Sequence, residues 1–267
     1  MSSRRWLRLF QWCACCFALP ASAALPGMVS VCSSDAEWPP YTYYQRSGGV
    51  ITTKLVGYSV DYLQRVLVRQ GLHFHVEMVP WVRCMERVGS GEYDMLLNAG
   101  INPEREKKYL VTHPYYTLTM VYFYAQARPK PRVDSWRDLT RMRLCGVHGH
   151  NYDSFNLQPE QIDTGANDIG QALNKLKAGR CDVVPERLEV VLGYRAIGQI
   201  DLARMNIGYA PIPGLKSVPF SMMVSRRVPY ARQLLQVLND GIDNLNAHEG
   251  GCDLAARYQI PVAHACR

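Results

Sequence analysis

The stretch NAGINPEREKKYLVTHPYY at residues 98–116 holds the side chains with the clearest potential for chemistry. A glycine turn, a lone arginine (Arg105) in a charged run and a tyrosine pair follow directly on an apolar, strand-like segment. A guanidinium group is a planar fork of donors that can grip a carboxylate with two parallel hydrogen bonds. Without further context, however, an arginine in a charged loop is usually a solvated surface residue. The role of Arg105 therefore depends on the elements that position it.

Those elements alternate between strand and helix patterns. The apolar spacing within 56–71 predicts an amphipathic helix that stops at Gly71, and residues 80–91 predict a short helix that begins at a proline. Strands are predicted around them at 28–34, 73–79 and 93–100. This order indicates an α/β layer fold with a mixed, mostly parallel sheet flanked by helices.

A second α/β rhythm follows a proline-rich, polar segment at 127–136, where the chain is expected to leave the first unit. A strand at 219–225 and an amphipathic helix at 230–250 then close the chain. We therefore expect two lobes joined by a hinge of two chain crossings. The expected ranges are 24–125 for the first lobe, 126–214 for the second, and 215–267 for the return to the first.

Residues 1–23 have the layout of a secretory signal peptide, with three arginines, an apolar run and the small-residue pattern Ala21-Ser22-Ala23. The apolar run is too short to span a bilayer well; a buried N-terminal helix is the alternative. Removing this segment lowers the formal net charge from +7 to +4, because it takes away Arg4, Arg5 and Arg8. We expect an exported product with no nucleic-acid partner.

Six of the nine cysteines remain after such cleavage. An even number of cysteines in an exported chain indicates disulfide bonds, although the sequence alone does not choose among the possible pairings. A metal site is the rival interpretation, but no CxxC or clustered Cys/His spacing supports one. We therefore expect neither a metal nor a cofactor.

The ordered segments EWPPY, GYSVDYL, VPWVRCMERVGSGEYDMLLNAGINPEREKKYLVTHPYY, GVHGHNY and LKAGRCDVV resemble the bacterial extracellular solute-binding proteins of family 3. These are type II periplasmic binding proteins, which include the polar amino-acid receptors of ABC transporters. The resemblance covers roughly Val29 to Ile260. It implies a two-lobed, monomeric periplasmic receptor that captures a small carboxylated polar solute, an amino acid or a dicarboxylate, for an inner-membrane ABC permease.

The resemblance also assigns roles in the first lobe. Arg105 holds the ligand carboxylate, while Asn98 and the backbone of Gly100 add hydrogen bonds. Trp38 and Trp81 enclose the ligand from two faces, by apolar contact or as a cation–π box. Weaker candidates for ligand contact are Tyr41, Tyr115 and Tyr116.

In the second lobe, the segment GVHGHNYDS resembles a family turn at a helix N-terminus, where free N–H groups favour an anion. His148, His150 and Asn151 are its candidate ligand residues. Family receptors for amino acids place an aspartate five residues after the aspartate of the GRCD motif, to bind the ligand's ammonium group. Here Arg187 occupies that position, which favours a dianion; a shift of one residue would put Glu186 there and restore an amine site.

The family picture also suggests the cysteine pairing. Bridges within each lobe leave the hinge free to close, so the implied pairs are Cys32–Cys84, Cys145–Cys181 and Cys252–Cys266.

Two other functions share this resemblance. One is an exported cyclohexadienyl-dehydratase-like enzyme, in which Glu186, His148 or His150 would transfer protons. The other is a sensing or accessory module that works with a different membrane partner. Fold similarity does not separate them from a transport receptor.

Overall fold

The computed structural model describes residues 24–247 and 249–260. The predicted signal peptide, and Cys266 with the pairing expected for it, lie outside these residues.

The described chain alternates strands and helices, as the pattern of apolar residues predicts. The strands are β1 Met28–Ser34, β2 Tyr43–Ser47, β3 Val50–Val56, β4 His73–Val79, β5 Met95–Gly100, β6 Tyr109–Val111, β7 Tyr116–Leu118, β8 Met120–Ala125, β9 Leu144–Val147, β10 Ile162–Ala166, β11 Val184–Arg187, β12 Ile207–Pro211 and β13 Val218–Ser225. The helices are α1 Tyr58–Val68, α2 Trp81–Ser90, α3 Pro103–Lys108, α4 Trp136–Leu139, α5 Ile169–Lys177, α6 Leu188–Ala196, α7 Leu202–Met205, α8 Ala231–Ala247 and α9 Glu249–Arg257.

The first lobe is built on a six-stranded sheet in the order β4-β1-β5-β13-β6, with β7 also paired to β13. Strands β4, β1 and β5 run parallel, whereas β13 is antiparallel to its neighbours. Central strand β5 is buried almost throughout because helices and loops cover both faces of the sheet. Its carboxyl end therefore delivers Gly100 and the following turn to one edge of the lobe.

The second lobe holds two small sheets, β11-β8-β12 and β10-β9, which a bridge between Leu144 and Val183 connects. Strand β8 is antiparallel to both of its partners, and β9 is parallel to β10. The sheet of the first lobe is thus mixed, as expected, whereas the sheet β11-β8-β12 is antiparallel throughout and so departs from the mostly parallel order expected for each lobe.

The first passage between lobes differs from the expected boundary at 125. Strand β7 pairs with β13 of the first sheet, whereas β8 pairs with β11 and β12 of the second. The chain therefore crosses at Thr119, near the start of the β-rich run 118–126. One continuous run of strand-forming residues serves two sheets, and the composition of the sequence does not mark the change.

The hairpin β2–β3 was not among the predicted elements. Its strands pair antiparallel around a turn in which Gly48 and Gly49 both have positive φ values of 57° and 83°. Two glycines between runs rich in β-branched and aromatic residues are a recognisable hairpin signal.

Two of the three expected disulfides are present. Cys32 of β1 is bonded to Cys84 of α2 in the first lobe, and Cys145 of β9 is bonded to Cys181 in the second lobe. Each bond lies within one lobe, so neither restrains the lobes relative to each other.

The lobes contact each other beside the crossings, where α6 meets the segment 36–40. The Tyr194 hydroxyl donates to the carbonyl oxygens of Ala36, at 2.7 Å, and Glu37, at 3.0 Å. At the preceding residue, Gly193, a β-carbon would lie only 2.3 Å from the Pro39 carbonyl oxygen. The backbones therefore pack directly against each other here. Within the described part of the chain, no helix has the length and apolar character needed to cross a membrane.

Candidate functional site

A cavity of about 600 Å³ lies between the lobes and is lined from both. The first lobe contributes the ends of β1 and β5, the start of α2, the turn into α3 and the start of β13. The second lobe contributes the turn after β9, residue 167 and the end of β11. Of the expected ligand residues, the cavity is lined by Trp38, Trp81, Asn98, Gly100, Arg105, His148, His150, Asn151 and Arg187.

Arg105 is fixed by the short helix α3. The Asn102 side chain accepts a hydrogen bond from the Arg105 backbone N–H at 2.9 Å, and Pro103 occupies the first helical turn. The guanidinium then reaches back to the strand end, where Nη1 donates to the Gly100 carbonyl at 2.8 Å. Its carbon lies 5.6 Å from the centre of the Trp81 ring, a cation–π contact. The turn and the tryptophan together aim this cation at the cavity.

The charge of Arg105 is not neutralised by a neighbour, since it forms no ion pair among the described residues. Burial lowers the pKa of Arg105, and the positive charge of Arg187 across the cavity acts in the same direction. The pKa of an arginine begins so high that the group stays protonated. The first lobe thus presents a desolvated cation without an acidic partner.

Trp38 forms an aromatic wall between the lobes. Its ring stacks on Phe220 at a centroid distance of 6.2 Å, and His150 of the second lobe approaches it edge-on at 5.4 Å. Phe220 belongs to β13 and pairs with Gly100, so the return strand brings it to the cavity. Sequence analysis predicted this strand but did not assign Phe220 to the site.

The three tyrosine candidates lie in the core behind this wall. Tyr41 is fully buried and stacks on Tyr116 at 3.9 Å, and Tyr116 in turn stacks on Phe220 at 5.2 Å. Tyr115 is also buried, and none of the three lines the cavity. Their expected ligand contact is therefore not supported; they support the aromatic wall from within the first lobe.

Asn98 lines the cavity, but its side-chain amide is committed to the first lobe. Its Oδ1 accepts hydrogen bonds at 2.6–3.1 Å, and its Nδ2 donates to Thr42 at 2.7 Å and Ser33 at 3.3 Å. The three hydroxyl donors are those of Ser59, Tyr115 and Tyr116. The residue has a φ of 61°, a left-handed conformation that asparagine tolerates. The expected side-chain hydrogen bond to a ligand would have to displace one of these partners.

In the second lobe, the turn after β9 lines the cavity but does not lead into the helix N-terminus that the resemblance implies, and the backbone N–H groups of His148 and His150 already donate to Ala166 and Val147. His148 and Gly149 are exposed, whereas His150 and Asn151 are half-buried. The Asn151 side chain accepts a hydrogen bond from the Asp153 backbone N–H at 2.8 Å, which closes the turn. The turn leads into a single 3₁₀ turn over Asp153–Phe155.

The alternation of β11 separates Glu186 from Arg187. Arg187 lines the cavity, while Glu186 is fully buried and does not. The Glu186 carboxylate accepts from the Arg187 Nη1 at 3.0 Å and backbone N–H at 2.9 Å, and lies 3.1 Å from the His150 Nδ1. Burial alone would raise the pKa of Glu186, but Arg187 and His150 outweigh it and lower the pKa to about 2. Glu186 is thus an ionised partner of Arg187 that does not line the cavity, so the structure does not support the alternative in which it faces the ligand.

Arg187 is held from several sides, with only 4% of its surface exposed. Beyond Glu186, its Nη2 donates to the Asn151 carbonyl, and its guanidinium carbon lies 5.2 Å from the Phe155 ring centre. Its Nε–H, buried at the cavity wall, has no hydrogen-bond partner among the described residues. The same is true of the buried hydroxyl of Ser154, another cavity-lining residue that sequence analysis missed.

Two carboxylates also line the cavity, those of Asp35 and Asp153. Both residues are exposed at the rim. Across the described chain, no group of three or more His, Cys, Asp or Glu side chains is arranged to hold a metal ion.

Comparison with solved structures places this arrangement among two-lobed binding proteins. ArtJ of Geobacillus stearothermophilus, described as an arginine-, lysine- and histidine-binding protein, superposes with a TM-score of 0.69. The match covers 86% of this chain and 94% of ArtJ at 20% sequence identity. At that identity the likeness shows the fold, which is the type II periplasmic-binding-protein fold expected from the sequence.

The chain belongs to the bacterial extracellular solute-binding proteins, family 3, which it matches over residues 30–251. The L-cystine-binding protein TcyA of Bacillus subtilis is 24% identical over 174 residues, which are 65% of this chain and 62% of TcyA. A probable amino-acid ABC transporter-binding protein of Haemophilus influenzae is 28% identical over 163 residues, 60% of each chain. The chain thus spans less than two thirds of these curated relatives. Membership of the family makes it a solute-binding protein.

Proposed function

We propose that this protein captures a small carboxylated solute in the cavity between its lobes and presents it to an ABC-type importer. The observation that carries the proposal is Arg105, a cavity-lining cation that has no acidic partner among the described residues. A carboxylate at this point would supply the missing counter-charge.

The surroundings of Arg105 favour such a ligand. Because Gly100 and Trp81 hold the guanidinium in place, little conformational freedom remains to be lost when a carboxylate binds. Burial has already removed part of its hydration. A charge-assisted hydrogen bond in such a setting contributes about 1.5–3 kcal/mol.

Contacts from both lobes would couple binding to closure. A solute that touches Arg105 on one side and the turn 148–151 on the other binds the closed arrangement more tightly than an open one. It therefore shifts the population toward closure. A membrane partner can then recognise the closed form, which is the family's usual transport signal.

The relatives support a carboxylate ligand. Their names describe binding of cystine and other amino acids, each of which carries a carboxylate. Family membership supports a location outside the cytoplasm. Together with the leader expected at residues 1–23, we propose that the mature chain acts in the periplasm as a monomer. A dehydratase role gains no support from Glu186, because a buried, ionised and fully paired carboxylate has no proton to donate.

The proposal is tested by isothermal titration calorimetry with carboxylate probes of increasing length, including butyrate, glutarate and L-glutamate, and with butylamine for comparison. At least one carboxylate is expected to bind, and butylamine is not. Arg105→Ala should weaken that binding by roughly tenfold to a hundredfold, the equivalent of one charge-assisted contact.

Arg137→Ala is the matched control, since Arg137 also lies over a tryptophan ring, that of Trp136, but outside the cavity. It should retain wild-type affinity. Binding of no carboxylate by the wild type, or unchanged affinity in Arg105→Ala, would remove Arg105 from the site and overturn the proposal.

A further inference from the structure

The second-lobe wall of the cavity presents hydrogen-bond donors where an ammonium group would need acceptors. We infer that the ligand carries a second carboxylate at its far end and no ammonium group facing this wall, so that its class is a short dicarboxylate. The inference rests on the proposed function, because it takes Arg105 as the site of the first carboxylate.

The acceptors that could hold an ammonium group on β11 are already used. Glu186 is the acidic residue of that strand, it is fully buried, and both of its oxygens face Arg187 or His150. The carbonyl of Asn151 accepts from Arg187. An ammonium ion offers only donors, so it finds no free acceptor on this part of the wall.

Two polar groups of the same wall have no partner among the described residues: the Arg187 Nε–H, which can only donate, and the Ser154 hydroxyl, which can donate or accept. Both residues line the cavity, but the two atoms lie beneath its surface, so a ligand would reach them only after the side chains rotate. A buried donor without a partner costs free energy, and a ligand oxygen that accepts from it removes this cost. A carboxylate has two oxygens with room for several such bonds, which suits a guanidinium edge and a hydroxyl together.

The charges of the cavity agree with this assignment. Arg105 and Arg187 lie close enough for the charge of Arg187 to lower the pKa of Arg105, so the two guanidinium groups repel each other across the cavity. A ligand with an anionic group at each end separates and screens them. The cavity-lining acids Asp35 and Asp153 are exposed, and the charge of Asp153 already acts on Arg105, whose pKa it raises. Water and Arg105 together reduce the attraction of these acids for an ammonium group.

Three matched probes with four or five carbon atoms test the inference. Their affinities are measured by isothermal titration calorimetry on the protein with its leader removed. Glutarate carries two carboxylates, L-glutamate adds an ammonium group to the same skeleton, and 4-aminobutyrate replaces one carboxylate by an ammonium group. Glutarate is expected to bind at least about tenfold more tightly than either amine, the equivalent of one charge-assisted contact.

Variants of the second-lobe wall show whether its residues cause the preference for glutarate. Removing Arg187 alone would leave the Glu186 charge buried and unpaired, so the double variant Glu186→Gln/Arg187→Gln removes both charges together. It should weaken glutarate binding by about tenfold or more while butyrate binding, which needs Arg105 alone, stays the same. Ser154→Ala, which leaves the ion pair intact, should weaken glutarate binding by a smaller factor.

The matched control is the double variant Arg143→Gln/Asp182→Gln. It removes an ion pair in which Arg143 Nη2 lies 2.6 Å from the Asp182 carboxylate. This pair lies outside the cavity and should not affect any probe. Tighter binding of L-glutamate than of glutarate, or glutarate affinity unchanged in both second-wall variants, would overturn the inference while leaving the carboxylate receptor intact. Failure of every carboxylate to bind would instead overturn the proposed function itself.

Discussion

The two arginines of the cavity face each other but differ in what balances their charge. Arg187 is almost fully buried and paired with the ionised Glu186, whereas Arg105 has a backbone carbonyl and a tryptophan ring as its neighbours. The charge of Arg187 is therefore compensated inside the fold. That of Arg105 is compensated by the ligand in the proposed complex.

This difference separates two ways of using the same side chain. Burying an ion pair costs desolvation free energy. Removing one partner strongly destabilises the fold, because the other charge stays buried without a counter-charge. A partly exposed cation without an acidic partner can be removed at little cost to the fold. Arg187 should therefore matter to stability and selectivity together, and Arg105 to binding alone.

The largest effect expected from this comparison is on stability. Glu186→Gln leaves Arg187 buried without a counter-charge and should lower the free energy of unfolding by about 3–5 kcal/mol. Arg105→Ala should lower it by about 1 kcal/mol or less, because no ion pair is lost. Urea denaturation monitored by tryptophan fluorescence measures both.

Glu92→Gln is the control for this prediction, because its ion pair with Arg87 is exposed and should contribute little. Acid titration gives an independent check. The folded pKa of Glu186, about 2, lies below its ordinary value, so its contribution is present above about pH 4.5 and is lost as the pH falls toward 2. If Glu186→Gln/Arg187→Gln loses stability as steeply as the wild type over this range, the pair is not the source.

A smaller effect on stability is expected in the first lobe, where the Asn98 side chain joins residues that lie behind the cavity. Asn98→Ala removes the amide that joins Thr42 to the hydroxyls of Ser59, Tyr115 and Tyr116. Leaving these groups without a partner should cost about 1–3 kcal/mol of unfolding free energy. Carboxylate affinity, measured well below the melting temperature, should change much less.

Asn167→Ala is the matched control for this variant, since Asn167 is an exposed asparagine at the same cavity. It should not change stability. A variant at Asn98 that keeps its melting temperature but loses carboxylate binding would show that the amide contacts the ligand directly.

The smallest predicted effect is that of the ring beside Arg105. Trp81→Leu keeps an apolar side chain but removes the cation–π contact, which contributes about 0.5–1 kcal/mol at a partly exposed site. Carboxylate affinity should fall by about two- to fivefold. Trp136→Leu removes the corresponding ring from Arg137 outside the cavity and should have no effect on calorimetric affinity.

The sequence predicted several elements around the cavity, among them β1, β4 and β5, because each has a local signal. The short helix α3 was not predicted, although the asparagine and proline at residues 102 and 103 are a recognisable signal for its start. A guanidinium behind such a turn follows from the chain itself. Its orientation toward a ligand, however, follows from the resemblance to known receptors.

Features that depend on pairing between distant segments could not be read in the same way. The boundary at Thr119 lies within one uniform β-rich run, and Phe220 reaches the cavity only because β13 pairs with β5. The choice between Glu186 and Arg187 depends on the register of β11, and a shift of one residue exchanges the two faces of a strand. The hydrogen bonds that occupy the Asn98 side chain likewise depend on hydroxyls supplied by four separate segments.

The close approach of Gly193 to the backbone of Pro39 limits which residue α6 can carry where the two lobes meet. A single added methyl group there would collide with the Pro39 carbonyl, in a place where both neighbours are backbone and neither can rotate away. An alanine at this position would have to push α6 away from the segment 36–40 and so widen the contact between the lobes. The separation of the two lobes at this contact therefore depends on a residue that has no side chain.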